Sequence, residues 1–307
     1  MSGSKRTLIF GMSGLLGSHL GRELSEYDSL LGTYYKNKLD QKGTIRYEYS
    51  NSLDELEAVL SDFRPEVVLN ASGLVSVDGC EQSPIEALHL NTNFLHGLIY
   101  LLDKLSLNNC HLVQISTAAV YGNHLKENNQ AWLESDVTKP LSVYASTKLA
   151  AELITISHSG PSTIIRSDIY GINSLSEKSL MWWIMNSAYQ GERMEGWENI
   201  LFNPISAGHL SKIVRFIIEN EITGLYNIGC INKCNKYDFA AAVCKAIEIE
   251  AHIERAELVN DTLRPYNTIT DCSKFFGIKD LGLSWEEDLK NYIKTMPRFP
   301  KDLRLQN

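Results

Sequence analysis

A turn with three regularly spaced glycines follows the first apolar segment of the chain. Residues 7–10 are apolar, the turn holds Gly11, Gly14 and Gly17, and residues 18–27 have a helical pattern. Glycines in these places let the chain turn tightly, let the backbone approach a pyrophosphate, and let the helix pack on the strand. The N-terminus of such a helix faces the phosphates. The segment therefore predicts an α/β fold that binds a dinucleotide; the alternative is a turn with a purely structural role.

Strands and helices continue to alternate up to about residue 171. Strand patterns occur at residues 30–34, 45–49, 66–71, 111–116 and 163–166, and helical patterns at residues 52–63, 84–105 and 142–156. Strands separated by helices predict right-handed crossovers and a parallel sheet. We expect a Rossmann-type doubly wound parallel sheet in residues 1–171. Residues 172–307 are expected to form a smaller C-terminal α/β substrate-binding region, from which some elements return to the main sheet.

Composition and net charge indicate which classes of partner the chain is expected to bind. The chain has 307 residues, of which 44% are hydrophobic, and this is enough for one large α/β core. The formal net charge of -8 argues against nucleic acids and anionic membranes, because both bind basic surfaces. Neither an N-terminal signal nor an apolar run of about 18 residues is found, so we expect a cytoplasmic protein without a membrane span. The scattered cysteines and histidines predict reduced, mostly buried thiols and no metal site.

Tyrosine and lysine occur four residues apart at three places, starting at residues 34, 100 and 144. This spacing places both side chains on one face of a helix, where the tyrosine can act as a proton donor. Only Tyr144 and Lys148 are preceded by a strand-end hydroxyl, that of Thr117, at the edge where doubly wound sheets bind ligands. We therefore take these three residues as the catalytic candidates. The lysine ammonium, with an oxidised nicotinamide, is expected to lower the pKa of Tyr144.

The loop after the second strand bears on the choice of cofactor. Folds that bind NAD usually carry an acidic residue there for the ribose hydroxyls. This chain instead has Tyr34, Tyr35, Lys36, Asn37 and Lys38. The loop favours NADP(H), with NAD(H) as the alternative; the lysines could equally belong to a solvated loop.

The glycine turn, Thr117 and the Tyr144–Lys148 pair together resemble the extended short-chain dehydrogenase/reductases that act on nucleotide sugars. The resemblance implies that Thr117 binds the substrate oxygen, Tyr144 transfers the proton and Lys148 binds the nicotinamide ribose. It also implies that Asn91 supports the lysine, and it makes a homodimer the expected assembly. The candidate cofactor-binding residues are Gly11, Ser13, Gly14, Leu15, Leu16, Gly17, Tyr34, Lys36, Asn70, Ala71, Ser72, Asn91, Tyr144 and Lys148.

Further segments resemble the dTDP-4-dehydrorhamnose reductases. They are residues 70–81, 166–171, 227–229, 264–267 and 271–274. The resemblance implies an oxidoreductase that reduces a nucleotide-linked 4-keto-6-deoxy sugar, with NADPH delivering hydride to C4 and Tyr144 donating the proton. The candidate substrate-binding residues are Val77, Asp78, Thr117, Ile169 and Arg264. Ile169 stands where these reductases commonly have tryptophan, and Arg264 is either a ligand of the substrate diphosphate or a surface ion-pair partner.

Related reactions and functions remain as alternatives to reduction. Nucleotide-sugar 4,6-dehydratases need acidic residues directly after the strand-end hydroxyl, and Ala118 and Ala119 cannot perform acid/base chemistry. A C4 epimerase with tightly bound NAD shares Thr117, Tyr144 and Lys148 and stays open. So does a non-catalytic regulatory protein, because the beta subunit of methionine adenosyltransferase is similar to these reductases and a fold does not guarantee chemistry.

Overall fold

A parallel sheet forms the centre of the molecule. The computed structural model describes residues 4–26, 29–38, 43–48, 53–123, 130–173, 175, 179–259 and 263–296. Within these residues the main sheet has seven strands: β1 (Arg6–Phe10), β2 (Ser29–Tyr34), β3 (Thr44–Arg46), β4 (Val67–Asn70), β5 (His111–Thr117), β6 (Ser162–Ser167) and β11 (Gly224–Asn227). Their order is β11-β6-β5-β4-β1-β2-β3, and every pair is parallel. The prediction of a Rossmann-type parallel sheet is confirmed. Its direction of winding reverses between β1 and β4, and ligands bind at such a point in this class of fold.

Helices cover both faces of this sheet and also pack on the shorter strands of the second half of the chain. They are α1 (Leu15–Leu24), α2 (Asp54–Phe63), α3 (Val77–Gln82), α4 (Pro84–Leu88), α5 (Phe94–Lys104), α6 (Val143–Ile156), α7 (Leu180–Gln190), α8 (Ala207–Glu219), α9 (Lys236–Ala246), α10 (Ser273–Phe276) and α11 (Trp285–Thr295). Because side chains alternate along a strand, Leu8 and Phe10 of β1 pack with α2 and α5, whereas Ile9 packs with α1 and α8. None of the helices in the described residues is long and apolar enough to cross a membrane.

Several element boundaries differ from the predicted ones. Helix α1 begins at Leu15, three residues earlier than expected, since Gly14 in extended conformation serves as its N-cap. The long helix predicted for residues 84–105 is divided by a π-helical turn, His89–Asn93. Such turns frequently occur at functional sites. Residues 27, 49 and 52, which the predicted elements include, lie outside the described residues.

The second half of the chain contributes to two regions. Strand β11 pairs with β6 in the main sheet, and α8 packs on α1. The remaining strands are β7 (Ile169–Tyr170), β8 (Met194–Trp197), β9 (Leu201–Phe202), β10 (Ile205–Ser206), β12 (Cys234–Asn235) and β13 (Ile253–Ala256). They pair as β7 with β10, β8 with β13 and β9 with β12. Because β7 follows β6 almost directly, these short pairs lie beyond the carboxyl end of the main sheet.

Candidate active site

A cleft of about 400 Å3 opens where the sheet reverses its winding. Gly11 has a φ of +78°, and a Cβ there would come within 2.9 Å of the Ser72 backbone. A Cβ at Gly17 would overlap the carbonyl oxygen of Gly11. Side chains are therefore excluded from both positions, and the turn leads directly into the N-terminus of α1. A cradle free of side chains beside a helix N-terminus fits the pyrophosphate of a dinucleotide.

The structure brings half of the predicted cofactor-binding residues to this cleft. Those that line it are Gly11, Ser13, Gly14, Tyr34, Lys36, Ala71 and Ser72. Leu16 and Gly17 are buried in the first turn of α1, and Leu15 packs on the core beneath it. Asn70 is buried too; it donates to Gln114 (2.8 Å) and accepts from the hydroxyl of Ser72 (2.6 Å). These four residues shape the cleft from behind.

Sequence reasoning missed two charged residues beside the second-strand loop. Glu48, which lines the cleft, accepts a hydrogen bond from the phenol of Tyr35 (3.2 Å) and pairs with Arg46 (3.4 Å). The ammonium of Lys36 lies 5.4 Å from the centroid of the Tyr35 ring, and the guanidinium of Arg46 lies 5.7 Å from it. Arg46 comes here because β3 pairs with β2, a register that the spacing of the sequence does not reveal. This end of the cleft therefore holds an acid as well as two cations.

The structure places Thr117 and Tyr144 side by side. Thr117 ends β5, and its side-chain oxygen accepts a hydrogen bond from the backbone N–H of Ala119 (3.2 Å). The Thr117 hydroxyl lies near enough to the phenol of Tyr144 to lower the pKa of that phenol. Ser142 caps the N-terminus of α6, the helix that carries Tyr144 and, one turn later, Lys148. The predicted catalytic residues thus meet where β5 ends.

Burial controls the protonation of this pair. It raises the pKa of Tyr144 to about 12, against the lowering effect of the Thr117 hydroxyl, and the charge of Asp168 raises the pKa further. Lys148 is only 4% exposed, and burial lowers its pKa to about 8, while the carboxylate of Glu152 opposes this shift. Burial thus dominates the pKa of Tyr144 here, and the lowering expected from the Lys148 ammonium together with an oxidised nicotinamide stays a prediction. At neutral pH Tyr144 keeps its proton, as a proton donor must.

A buried ion pair anchors α6, the helix that carries the predicted catalytic residues Tyr144 and Lys148. Glu152 lies on α6 one turn beyond Lys148, on the same face, and its carboxylate pairs with Arg166 at 2.6 Å and 2.9 Å. The hydroxyl of Ser116 donates to the same carboxylate (2.5 Å). The Arg166 guanidinium also stacks over the Tyr121 ring, 4.8 Å from its centroid. Sequence reasoning missed Glu152, although its spacing of four from Lys148 was a usable signal.

Asn91 binds α6 at Thr147, one residue before Lys148, which was its predicted partner. It lies buried in the π-helical turn, where its side chain donates to the hydroxyl of Thr147 (2.9 Å) and the carbonyl of Leu74 (3.0 Å). It also accepts from the backbone N–H of Leu74 (2.8 Å). Asn91 therefore holds the residue that precedes Lys148 and ties it to the loop after β4.

The predicted substrate-binding residues other than Thr117 lie further out. Val77 and Asp78 begin α3, and the exposed carboxylate of Asp78 forms an ion pair with Arg264 at 2.7 Å. Ile169 lies in β7, pairs with Ile205 and packs on the core. Arg264 thus has the ion-pair contact that we considered as its second interpretation, and the substrate-binding roles of all four residues remain predictions.

A larger cavity lies elsewhere, between α1, α8 and α11. It measures about 790 Å3, and neither Thr117, Tyr144 nor Lys148 lines it. Asp288 in its wall accepts hydrogen bonds from the phenol of Tyr170 and from the N–H and hydroxyl of Ser206. These bonds hold α11 against β7 and β10. All six cysteines are buried and unpaired, as predicted.

Known proteins share this fold, and relatives resemble the sequence along most of its length. The dTDP-4-dehydrorhamnose reductase of Bacillus anthracis in complex with NADP superposes with a TM-score of 0.82, at 19% identity, over 95% of this chain and 100% of that one. The dTDP-4-dehydrorhamnose reductase of Aggregatibacter actinomycetemcomitans is 27% identical over 304 residues, which cover 93% of this chain and 97% of the relative. The methionine adenosyltransferase 2 subunit beta of Xenopus laevis is 25% identical over 284 residues, covering 88% and 81%. The RmlD substrate binding domain family matches residues 5–298, and the chain belongs to this family.

Proposed function

We propose that this protein is an NADPH-dependent reductase of nucleotide-linked 4-keto-6-deoxy sugars. The observation that carries the proposal is the position of a protonated Tyr144 on α6 beside Thr117, at the carboxyl end of β5. The glycine-lined cleft at the neighbouring strand end supports it, because a dinucleotide and a ketone have to meet at this edge. The reductases among the relatives support the same reaction class.

The residues of the chain divide the work of ketone reduction between them. Bound NADPH supplies the hydride to C4 of the sugar. Thr117 and Tyr144 converge on the ketone oxygen, and Tyr144 passes its proton to that oxygen as the carbonyl becomes a hydroxyl. The Lys148 ammonium, one turn away on α6, stabilises the phenolate that remains until a proton returns from solvent.

A coupled assay tests the proposal. NADPH oxidation is measured with dTDP-, GDP- and UDP-linked 4-keto-6-deoxy sugars, and we expect turnover with one nucleotide series. A preparation that carries tight NAD, and that interconverts sugars without added cofactor, would instead identify a C4 epimerase.

A non-catalytic regulatory subunit is the second candidate. The similarity to methionine adenosyltransferase 2 subunit beta favours it. The enzyme is favoured by the position of Thr117 at the end of β5, beside the helix that carries Tyr144 and Lys148. Binding of NADPH without oxidation by any sugar of the panel, together with a change in the activity of a methionine adenosyltransferase, would establish the regulatory role.

The Lys36→Ala variant tests the preference for NADPH. Lys36 lines the cleft, and loss of a charge-assisted hydrogen bond to the 2′-phosphate is expected to raise the Kd of NADPH about tenfold. The Kd of NADH should stay nearly constant. Lys38→Ala is the matched control, because Lys38 is exposed in the same loop but does not line the cleft. Equal losses for both cofactors, measured by fluorescence titration, would contradict this assignment.

The pH dependence of reduction tests the role of Lys148. Its lowered pKa means that the ammonium loses its proton as the pH passes about 8, whereas Tyr144 stays protonated until about 12. We therefore expect kcat to be level near neutral pH and to fall above pH 8. In Lys148→Arg, whose guanidinium does not titrate in this range, a lower kcat should lack that alkaline decline. An identical decline in both proteins would rule out Lys148 as its source.

A further inference from the structure

A second pair of charged residues lies beside the catalytic hydroxyls. The register of β5 and β6 places Ser167 opposite Thr117, so Asp168 stands one residue beyond that position at the same edge of the sheet. The charge of Asp168 acts on the phenol of Tyr144. Asp168 is half-buried, and its backbone is held by a hydrogen bond from the N–H of Ile205 (3.0 Å). A carboxylate is therefore fixed next to the place where the ketone reacts.

Lys236 supplies the opposite charge. It opens α9 directly after β12, and its ammonium lies over the ring of Phe202, 3.5 Å from the centroid. Pairing of β12 with β9 sets this arrangement. The hydroxyl of Thr268, which binds Asp168, also lies 3.5 Å from the carbonyl of Leu201, the neighbour of Phe202, so Lys236 and Asp168 face the same region. Burial raises the pKa of Asp168, and the charge of Lys236 opposes that shift. Burial likewise lowers the pKa of Lys236 against the effect of Asp168.

Both groups keep hydrogen-bonding capacity. The hydroxyl of Thr268 donates to Oδ2 of Asp168. Among the described residues none donates a hydrogen bond to Oδ1 of Asp168, and this oxygen is not fully enclosed by the protein. The Lys236 ammonium has three N–H donors, and its described contact is with an aromatic face. Half-buried charges with open hydrogen-bonding positions are costly unless a bound molecule satisfies them.

A sugar hydroxyl matches both charges at once. It donates one hydrogen bond and accepts others, so a carboxylate and an ammonium together satisfy it. The oxygen produced at C4 does not suit Asp168, because negative charge develops on it during hydride transfer. Of the two carbons next to C4, only C3 carries a hydroxyl in a 4-keto-6-deoxy sugar, since C5 carries the methyl group and the ring oxygen.

We propose that Asp168 and Lys236 bind the C3 hydroxyl of the sugar, with Asp168 as acceptor and Lys236 as donor, and thereby select 4-keto sugars that keep this hydroxyl. The proposal rests on the reductase function proposed above. A 3-deoxy sugar would displace water from both charges without offering either of them a hydrogen bond in return. A site built to hydrogen-bond a hydroxyl rejects the analogue that lacks it far more strongly than a hydrophobic pocket rejects a size difference.

Paired substrates test this inference. The kcat/KM of the best 4-keto-6-deoxy sugar is compared with that of its 4-keto-3,6-dideoxy counterpart on the same nucleotide. We expect wild type to prefer the hydroxylated sugar by about a hundredfold or more. Asp168→Asn and Lys236→Met should each reduce this ratio at least tenfold, through loss of activity on the hydroxylated sugar only. Asp238→Asn, an exposed acid in the first turn of α9, is the matched control and should keep the wild-type ratio.

Binding measurements without turnover distinguish a failure of the C3-hydroxyl inference from a failure of the reductase proposal. The Kd values of the corresponding unreactive sugars, with a C4 hydroxyl in place of the ketone, are measured by calorimetry in the presence of NADP. Sugars that bind with no dependence on the C3 hydroxyl would overturn the inference and leave the reductase intact. If no nucleotide sugar binds or reacts, both proposals fail. The wild-type comparison decides the question even if a variant does not fold, and the NADPH Kd of each variant reports folding.

Discussion

Replacing Tyr144 with phenylalanine is expected to lower kcat for the proposed reduction by a factor of about 10²–10⁴, which is the usual contribution of a positioned proton donor. The change removes one hydroxyl, the group beside Thr117, and leaves the ring in place on α6. Burial keeps this phenol protonated at neutral pH, so the substitution removes a group that is ready to donate its proton. We expect the Kd of NADPH to stay within about twofold, since the cleft that holds the cofactor keeps its glycine turn.

The chain supplies a matched control for this substitution. Tyr100 has the same spacing to Lys104 on α5, but its side chain is 54% exposed and lies on the outer face of that helix. Tyr100→Phe should therefore retain the wild-type kcat. Stopped-flow measurement of NADPH oxidation on both variants distinguishes the outcomes. Comparable rates for Tyr144→Phe and wild type would remove Tyr144 from the catalytic step.

The second large effect is expected at the buried pair of Arg166 and Glu152. Their side chains are 5% and 3% exposed, so replacing Arg166 by methionine leaves an uncompensated carboxylate in the core. Loss of one partner in such a pair typically lowers the free energy of unfolding by about 3–5 kcal/mol. Urea unfolding should show this as a lower midpoint with an unchanged slope. Adding Glu152→Leu to Arg166→Met is expected to restore part of the loss, because the double variant removes the unpaired charge.

An exposed pair with nearly the same geometry serves as the comparison. Lys104 and Glu57 are 2.7 Å apart on the surface, against 2.6 Å for Arg166 and Glu152. Because water screens the exposed pair, Lys104→Met should shift the unfolding midpoint far less. Similar shifts for both substitutions would mean that burial does not govern the strength of the Arg166 contact.

Local patterns predicted the parts of the site that depend on neighbouring residues. The glycine turn, the strand that ends at Thr117 and the helix with Tyr144 and Lys148 are each encoded within a short segment. Spacing alone also marks Glu152 as a member of that helix face. The parallel direction of the strands follows from their alternation with helices, which requires crossover connections.

Other parts of the site depend on register and tertiary contacts. Glu48 lines the cleft, with Arg46 paired to it, because β3 pairs with β2. Lys236 comes near Asp168 because strands of two residues bring their segments together. Strands this short carry too few residues for an alternating pattern. The π-helical turn interrupts a segment whose sequence pattern is continuously helical. For this reason a single helix was expected for residues 84–105.

Strand β11 has a consequence for how the chain holds together. It comes from the second half of the sequence, yet it forms the edge of the main sheet next to β6 and follows α8, which covers α1. A fragment that stops at residue 171 would expose the backbone N–H and C=O groups of β6 as an unprotected sheet edge. It would also uncover apolar residues of α1, such as Leu20 and Leu24. The two halves are therefore expected to fold as one cooperative unit, and a separately produced nucleotide-binding half would be prone to aggregate.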